Sequence, residues 1–406
     1  MSDAAAVLKI PLTFRGPAFM MDGTSDRIFY RKKEVHLSME TRKFQGIGLS
    51  RLGMGNMRLP SVDPRDPGAP IDWERAHELI DRALALGINY FDTAYVYNNG
   101  ESERCVGAAM VKHPRESFYL ATKYAIGANP DYRAVFEEQL ARLQTDYIDF
   151  YLIHCLTDGN LEEYLSSGCI EYFEEQQRQG RIKYFGFSSH ASPETLEKMA
   201  QCRKWDFVQL QINYYDWRFS RTKEEYDIVT RLGIPVMVME PVRGGRLAAL
   251  TPETDAALKA IHPDWSVASW ALRWVRALPN VQVILSGMSS LGQLEDNAAT
   301  FAAAEPLSDG DKAALMEVCE RFWSQVVVPC TACRYCFDGC PKKINIPEYL
   351  RAYNASRVDG DWAASNIMAK IESAGRPEDC VACGSCTRNC PQGIDVPGLL
   401  KTLVKK

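Results

Sequence analysis

Across residues 52–301, short apolar runs alternate repeatedly with amphipathic ones. The run at 52–57 reads as a glycine-broken strand, and those at 88–91, 118–124, 148–154, 182–188, 207–212, 236–239 and 281–285 are short, apolar and rich in β-branched or aromatic residues, as buried strands are. The stretches 73–86, 133–143, 194–202, 224–232, 267–278 and 291–301 read as helices. In the first of them Ala76, Leu79, Ile80, Ala83 and Leu84 share one face, and Gly87 stops the chain. Eight apolar strands alternating with helices over about 250 residues predict a (β/α)8 TIM barrel. An open doubly wound sheet would normally carry a GxGxxG turn after its first strand. Gly53, Met54 and Gly55 make no such turn.

A barrel of this kind places its chemistry at the C-terminal ends of its strands. Asp92 ends the second strand, Tyr97 follows five residues later, Lys123 lies near the end of the third, and His154 ends the fourth. Singly, each has a plain structural explanation: a loop cap, a snorkelling lysine, a satisfied core imidazole. Three ionisable residues at one end of three consecutive strands are better explained together. A lysine beside a tyrosine stabilises the phenolate and is expected to pull its pKa down from about 10. A carboxylate bonded to that lysine keeps it charged and aimed. A neutral histidine can orient a carbonyl oxygen or relay a proton. The set amounts to a phenol that protonates a carbonyl oxygen as hydride reaches its carbon, or the reverse.

The last part of the chain follows other rules. Cys330, Cys333, Cys336 and Cys340 form one C-x2-C-x2-C-x3-C-P run, and Cys380, Cys383, Cys386 and Cys390 form a second. This is the spacing of bacterial two-cluster ferredoxins, whereas zinc usually takes two separated CxxC pairs. Metal-ligand usage of this kind, rather than a disulfide framework, indicates a reducing, cytoplasmic setting. The other cysteines, Cys105, Cys155, Cys169, Cys202 and Cys319, are scattered and read as small buried hydrophobes. A capped amphipathic helix at 308–325 joins the two parts, and a helical insert at 347–373 separates the runs.

A net charge of -5 argues against a nucleic-acid surface, and no apolar run is long enough to span a bilayer. The weakly apolar start at 4–12 is interrupted by Lys9 and Pro11, so no export signal is read there. Residues 1–38 match nothing that follows and are expected to be poorly ordered. Lys33, Glu34 and Val35 can be encoded by a purine-rich stretch like a bacterial ribosome-binding site, a few codons before Met39. The expectation is therefore a start at Met39, a barrel over 39–305, and a linker helix with an iron–sulfur domain over 306–406.

Four stretches resemble the aldo-keto reductases: SRLGMGNMRLP at 50–60, FDTAYVYNNGESE at 91–103, ATKY at 121–124 and LARLQTDYIDFYLIH at 140–154. They occur in order with family-like spacing, within a resemblance that covers roughly 39–304. It implies the same barrel, an NAD(P)H cofactor, a small carbonyl or alcohol substrate, and a catalytic tetrad of Asp92, Tyr97 as acid, Lys123 and His154. It further implies that Ser188, Ser189 and Gln211 hold the nicotinamide carboxamide. The family usually stacks an aromatic residue on the nicotinamide; here MEPVRGG puts Met239 in that place. Residues 287–297 resemble the adenosine-phosphate loop, with Ser289, Ser290, Gln293 and Asn297 but without the usual cations, so NADH is expected to bind at least as well as NADPH. Arg243 and Arg246 are candidates to meet the pyrophosphate.

The cysteine module resembles a ferredoxin-type domain with two [4Fe–4S] clusters. In such ferredoxins the fourth thiolate of each run ligates the other cluster. The resemblance thus implies one cluster on Cys330, Cys333, Cys336 and Cys390, and one on Cys380, Cys383, Cys386 and Cys340. Two functions follow: a nicotinamide-linked oxidoreductase exchanging electrons with a redox partner protein, or an electron-transfer or sensing protein whose barrel binds nucleotide and turns over little. Hydride carries two electrons and a cluster takes one. A flavin usually mediates, and the sequence carries no convincing flavin fingerprint. The clusters are then structural, serve a second reaction, or work with a further cofactor.

Overall fold

In the computed structural model, which describes residues 38–63, 69–303, 305–328, 330, 335–358, 360–390 and 393–404, the eight apolar runs close into a parallel barrel. A hairpin of β1 (Thr41–Phe44) and β2 (Ile47–Ser50) precedes it. The barrel strands are β3 (Leu52–Gly55), β4 (Tyr90–Asp92), β5 (Tyr119–Tyr124), β6 (Ile148–Leu156), β7 (Ile182–Ser189), β8 (Phe207–Gln211), β9 (Val236–Met239) and β10 (Val281–Ser286), with β10 paired to β3 to complete the ring. The expectations for residues 1–37 lie outside the described residues.

The hairpin was not legible in advance, and it has a clear task. Phe44 and Leu49 are buried beneath the barrel with Tyr90, Phe150, Phe207 and Val283. Phe44 lies 5.5 Å from the Phe150 ring and 5.1 Å from Tyr184, closing the N-terminal end with an aromatic plug. The first barrel strand is shorter than expected. It ends at Gly55 because Asn56 turns into a single 3-10 turn (Asn56–Arg58) and donates to the Asp92 carbonyl at 3.0 Å.

The helix after β10 (Leu291–Ala302) is followed by a second, Asp309–Val326, which opens with a reciprocal cap between Ser308 and Asp311. Its Leu315, Val318, Cys319 and Phe322 pack with Tyr214, Leu247, Leu258 and Trp270 of the barrel. Beyond it, short helices surround a separate core in which Cys336, Cys340 and Cys386 are buried with Ile344, Ile346, Leu350 and Leu400. The helical insert is two helices, Ile346–Val358 and Asp361–Met368. No helix among the described residues is long and apolar enough to cross a membrane.

Candidate active site

The ladder itself gathers the tetrad. Asp92 pairs with Ala121, two residues before Lys123; Lys123 pairs with Leu152, two residues before His154. A step of two preserves the face to which a side chain points, so all three face the barrel interior while climbing its stagger. The same step carries on from Leu152, through Gly186 to Ser188, and through Gln209 to Gln211, which pairs with Met239. The candidate residues thus ring one mouth. His154 and Cys155 sit where β6 shifts its register against β7. Cys155 takes a left-handed φ of 55°, and its N–H donates to Ser188 Oγ at 2.8 Å.

Lys123 is fully buried and donates to Asp92 Oδ1 and to the Thr93 carbonyl, both at 2.6 Å. Its Nζ stands 4.8 Å from the centre of the Tyr97 ring, and the His154 ring meets that ring edge-on at 5.7 Å. Burial alone would lower the Lys123 pKa, but Asp92 and Tyr97 outweigh it and the ammonium is held charged. Burial, Lys123 and His190 bring His154 down to about 3, so it is neutral, and its buried Nδ1 has no partner among the described residues. Asp92 Oδ2 is likewise unpartnered.

Tyr97 departs from expectation. Lys123 does pull the phenol down, by its charge and by a hydrogen bond, but burial comes first and is reinforced by Asp92 and Glu240, so the net shift is upward. The phenol is thereby kept protonated at neutral pH rather than held as a latent phenolate.

Behind Lys123 lies a buried clamp that the sequence did not announce. Glu103, from the helix Glu101–Met110, accepts from Thr122 Oγ1 at 2.5 Å, Gln139 Nε2 at 2.8 Å and Arg142 at 3.1 Å. Gln139 also donates to the Lys123 carbonyl at 3.1 Å and accepts from Tyr151 at 2.6 Å.

The expected nucleotide residues are engaged as follows. Ser189 Oγ accepts from the Ala191 N–H at 3.1 Å. Gln211 donates to Asp216 at 2.8 Å, which leaves its Oε1 to accept. Met239 Sδ accepts from Gln209 at 3.5 Å. Arg243 is ion-paired with Asp216 and lies over the Tyr215 ring, so its charge is already matched. Ser290 caps the helix Leu291–Ala302, Ser289 N–H donates to Gln293 Oε1 at 2.8 Å, and Asn297 donates to Ser286 Oγ at 3.0 Å.

In the C-terminal lobe Cys340, Cys380, Cys383 and Cys386 line one small pocket, walled by Ile344, Ile346, Val381 and Leu400. The fourth cysteine of the first run thus joins the first three of the second. Four thiols around an apolar cavity are the donor chemistry of a [4Fe–4S] cluster. Cys330 and Cys390 are half-buried against the same core, and Cys333 lies outside the described residues. Of the scattered cysteines, Cys105, Cys169 and Cys319 are buried as expected; Cys155 is half-buried, and Cys202 is exposed, a correction that follows from its place at the very end of the helix Pro193–Gln201.

Comparison with known proteins matches residues 51–320 to the model of the aldo/keto reductase family and residues 329–394 to a 4Fe-4S dicluster domain. The uncharacterized oxidoreductase YqkF of Bacillus subtilis is 27% identical over 284 residues, covering 62% of this chain and 87% of the relative. The NADH-specific methylglyoxal reductase of Escherichia coli is 25% identical over 320 residues, covering 68% and 96%. Among solved structures, the holo form of the aldo-keto reductase AKR11C1 from Bacillus halodurans is 28% identical with a TM-score of 0.57, covering 69% of this chain and 96% of that one.

Proposed function

The chain belongs to the aldo/keto reductase family and carries a C-terminal 4Fe-4S ferredoxin-type domain, and from that premise we propose that its barrel interconverts a small carbonyl and its alcohol with Tyr97 as acid–base group. The observation that carries this reading is the Lys123 ammonium, pinned to Asp92 at 2.6 Å and 4.8 Å from the centre of the Tyr97 ring, with neutral His154 against the same ring at 5.7 Å. A bound nicotinamide supplies or takes the hydride. Tyr97 gives its proton to the carbonyl oxygen during reduction and takes one back during oxidation. His154, unprotonated, orients that oxygen, and Lys123 with Asp92 steadies the charge that grows on Tyr97.

The mouth suits a nicotinamide. The Ser188 hydroxyl donates and Gln211 Oε1 accepts, complementing the two ends of a carboxamide. With no cation at 287–297, and with Gln293 Oε1 and Ser290 Oγ taken up by backbone N–H groups of the same loop, the nucleotide end supports NADH at least as well as NADPH. The E. coli relative is NADH-specific by name. In the lobe, Cys340 with Cys380, Cys383 and Cys386 would hold one [4Fe–4S] cluster, and Cys330, Cys333 and Cys336 with Cys390 the other. Clusters held there would supply one-electron transfer, to a redox partner protein or to a second reaction.

Tyr97→Phe in the anaerobically purified, iron-loaded protein tests the barrel reading. Carbonyl reduction should fall by about 10²-fold or more while dinucleotide affinity and iron content hold. A variant that keeps most of its rate removes Tyr97 from the role of acid.

A further inference from the structure

The mouth places a cation where no expectation had put one. Arg58 leaves the 3-10 turn after β3 and lies across two glycines from distant loops. A Cβ at Gly287 would stand only 3.3–3.4 Å from the Cβ, Cγ and Cδ of Arg58, and one at Gly244 would stand 3.0 Å from its Nη2. Gly244 has a left-handed φ of 61°. Ser289 Oγ donates to the Arg58 carbonyl at 2.7 Å and ties the turn to the loop after β10. The stem is thus seated on glycine, and the guanidinium spans from the loop after β10 to the loop after β9.

The inference rests on the dinucleotide reading above. With nicotinamide at Met239 and adenosine at 289–297, the diphosphate crosses the ground between them, which is the ground Arg58 covers. The two arginines expected there are otherwise placed. Arg243 is paired with Asp216, and Arg246 lies against Gly360, where a Cβ would meet its Nη2 at 2.6 Å. We propose that Arg58 holds the diphosphate of the dinucleotide, the place for which Arg243 and Arg246 were the candidates. Glu240 strengthens the requirement. Its Oε2 is 3.6 Å from the same Gly244 position, so without Arg58 a carboxylate would face the diphosphate.

The test is Arg58→Ala, with Arg58→Lys and Gly287→Leu, in the iron-loaded full chain, titrated with NADH and NADPH by nicotinamide fluorescence. Arg58→Ala should weaken both by about tenfold and by the same factor, since both carry the diphosphate, and should flatten the salt dependence. Arg58→Lys should recover part of the loss. Gly287→Leu, which keeps the arginine and dislodges its stem, should reproduce the loss. Unchanged affinity for both dinucleotides overturns the inference, and so does weakening of NADPH alone, which would put Arg58 on the 2′-phosphate. Wild type that binds neither dinucleotide brings down the dinucleotide reading and this inference with it; wild-type binding that the variants do not weaken sinks the inference alone.

Discussion

In the barrel, Asp92, Lys123 and His154 are set by the hydrogen-bond register of three adjacent strands. In the C-terminal lobe, Cys340 comes to Cys380, Cys383 and Cys386 from a segment tied to theirs by little regular structure, an isolated bridge between Ile344 and Gly375. The first site is fully formed by the chain alone: its ammonium is already paired, and its neighbours are locked by the buried Glu103–Gln139 clamp. The second is a core whose buried members include the very thiols that would bind metal. One site is pre-organised by secondary structure; the other is expected to draw part of its cohesion from a bound cluster.

The harshest way to break this comparison is to remove the barrel's buried cation. Lys123→Met takes the charge from beside Tyr97 and leaves Asp92 buried opposite nothing. Carbonyl reduction should drop by about 10²–10⁴-fold. Stability should fall by about 3–5 kcal/mol, the cost of a buried charge that has lost its partner. Cys340→Ala should do neither to the barrel, while removing cluster iron. Urea unfolding followed by barrel tryptophan fluorescence, with iron analysis alongside, separates the two. Barrel unfolding that shifts as much in Cys340→Ala as in Lys123→Met would show that the lobe supports the barrel.

A gentler probe is to strip the metal. Chelation under anaerobic conditions should release amide protection across 335–404 and leave β4, β5 and β6 protected, as read by hydrogen exchange. Equal loss in both regions would erase the distinction. Within the lobe, the shared cavity sharpens the wiring. Cys340→Ala should resemble Cys380→Ala in its cluster spectrum, and Cys390→Ala should resemble Cys330→Ala, although the first pair lies 40 positions apart in the chain and the second 60. Spectra that group Cys340→Ala with Cys330→Ala instead mean that each run binds its own cluster.

The same contrast explains what could be read from the chain beforehand. The convergence of Asp92, Tyr97, Lys123 and His154 was legible because strand ends in a barrel share one rim and the inward period of two survives each step around it. The two cysteine runs were legible because ligand spacing is local. The β1–β2 hairpin was not, because its strands are four residues long and mixed in polarity. The helix Glu101–Met110 was missed because its acidic start and Gly107 blur its apolar face. Arg58 escaped notice because no spacing rule joins residue 58 to glycines at 244 and 287; only the folded mouth does. The sign of the Tyr97 shift was misjudged for a different reason: two opposing effects act on one hydroxyl, and composition does not say how deeply a loop tyrosine is packed.

That balance yields, in the reduction direction, the smallest expected effect. His154, brought down to about 3, stays neutral throughout the ordinary pH range, and Tyr97, raised above its usual value, stays protonated. For reduction the acid form is the working form, so kcat/KM should vary by less than about twofold between pH 6 and 9. Oxidation needs Tyr97 without its proton. Below the Tyr97 pKa that fraction grows tenfold per pH unit, so the oxidation rate should climb across the same window. Profiles measured in both directions at constant ionic strength decide it. An inflection near 6.5 in the reduction profile, lost in His154→Asn, would mean that His154 titrates and is less shielded than its surroundings imply. A reduction rate already falling at pH 8 would mean that the Lys123 charge overrides burial after all, and that the mouth resembles a poised phenolate more than a protonated acid.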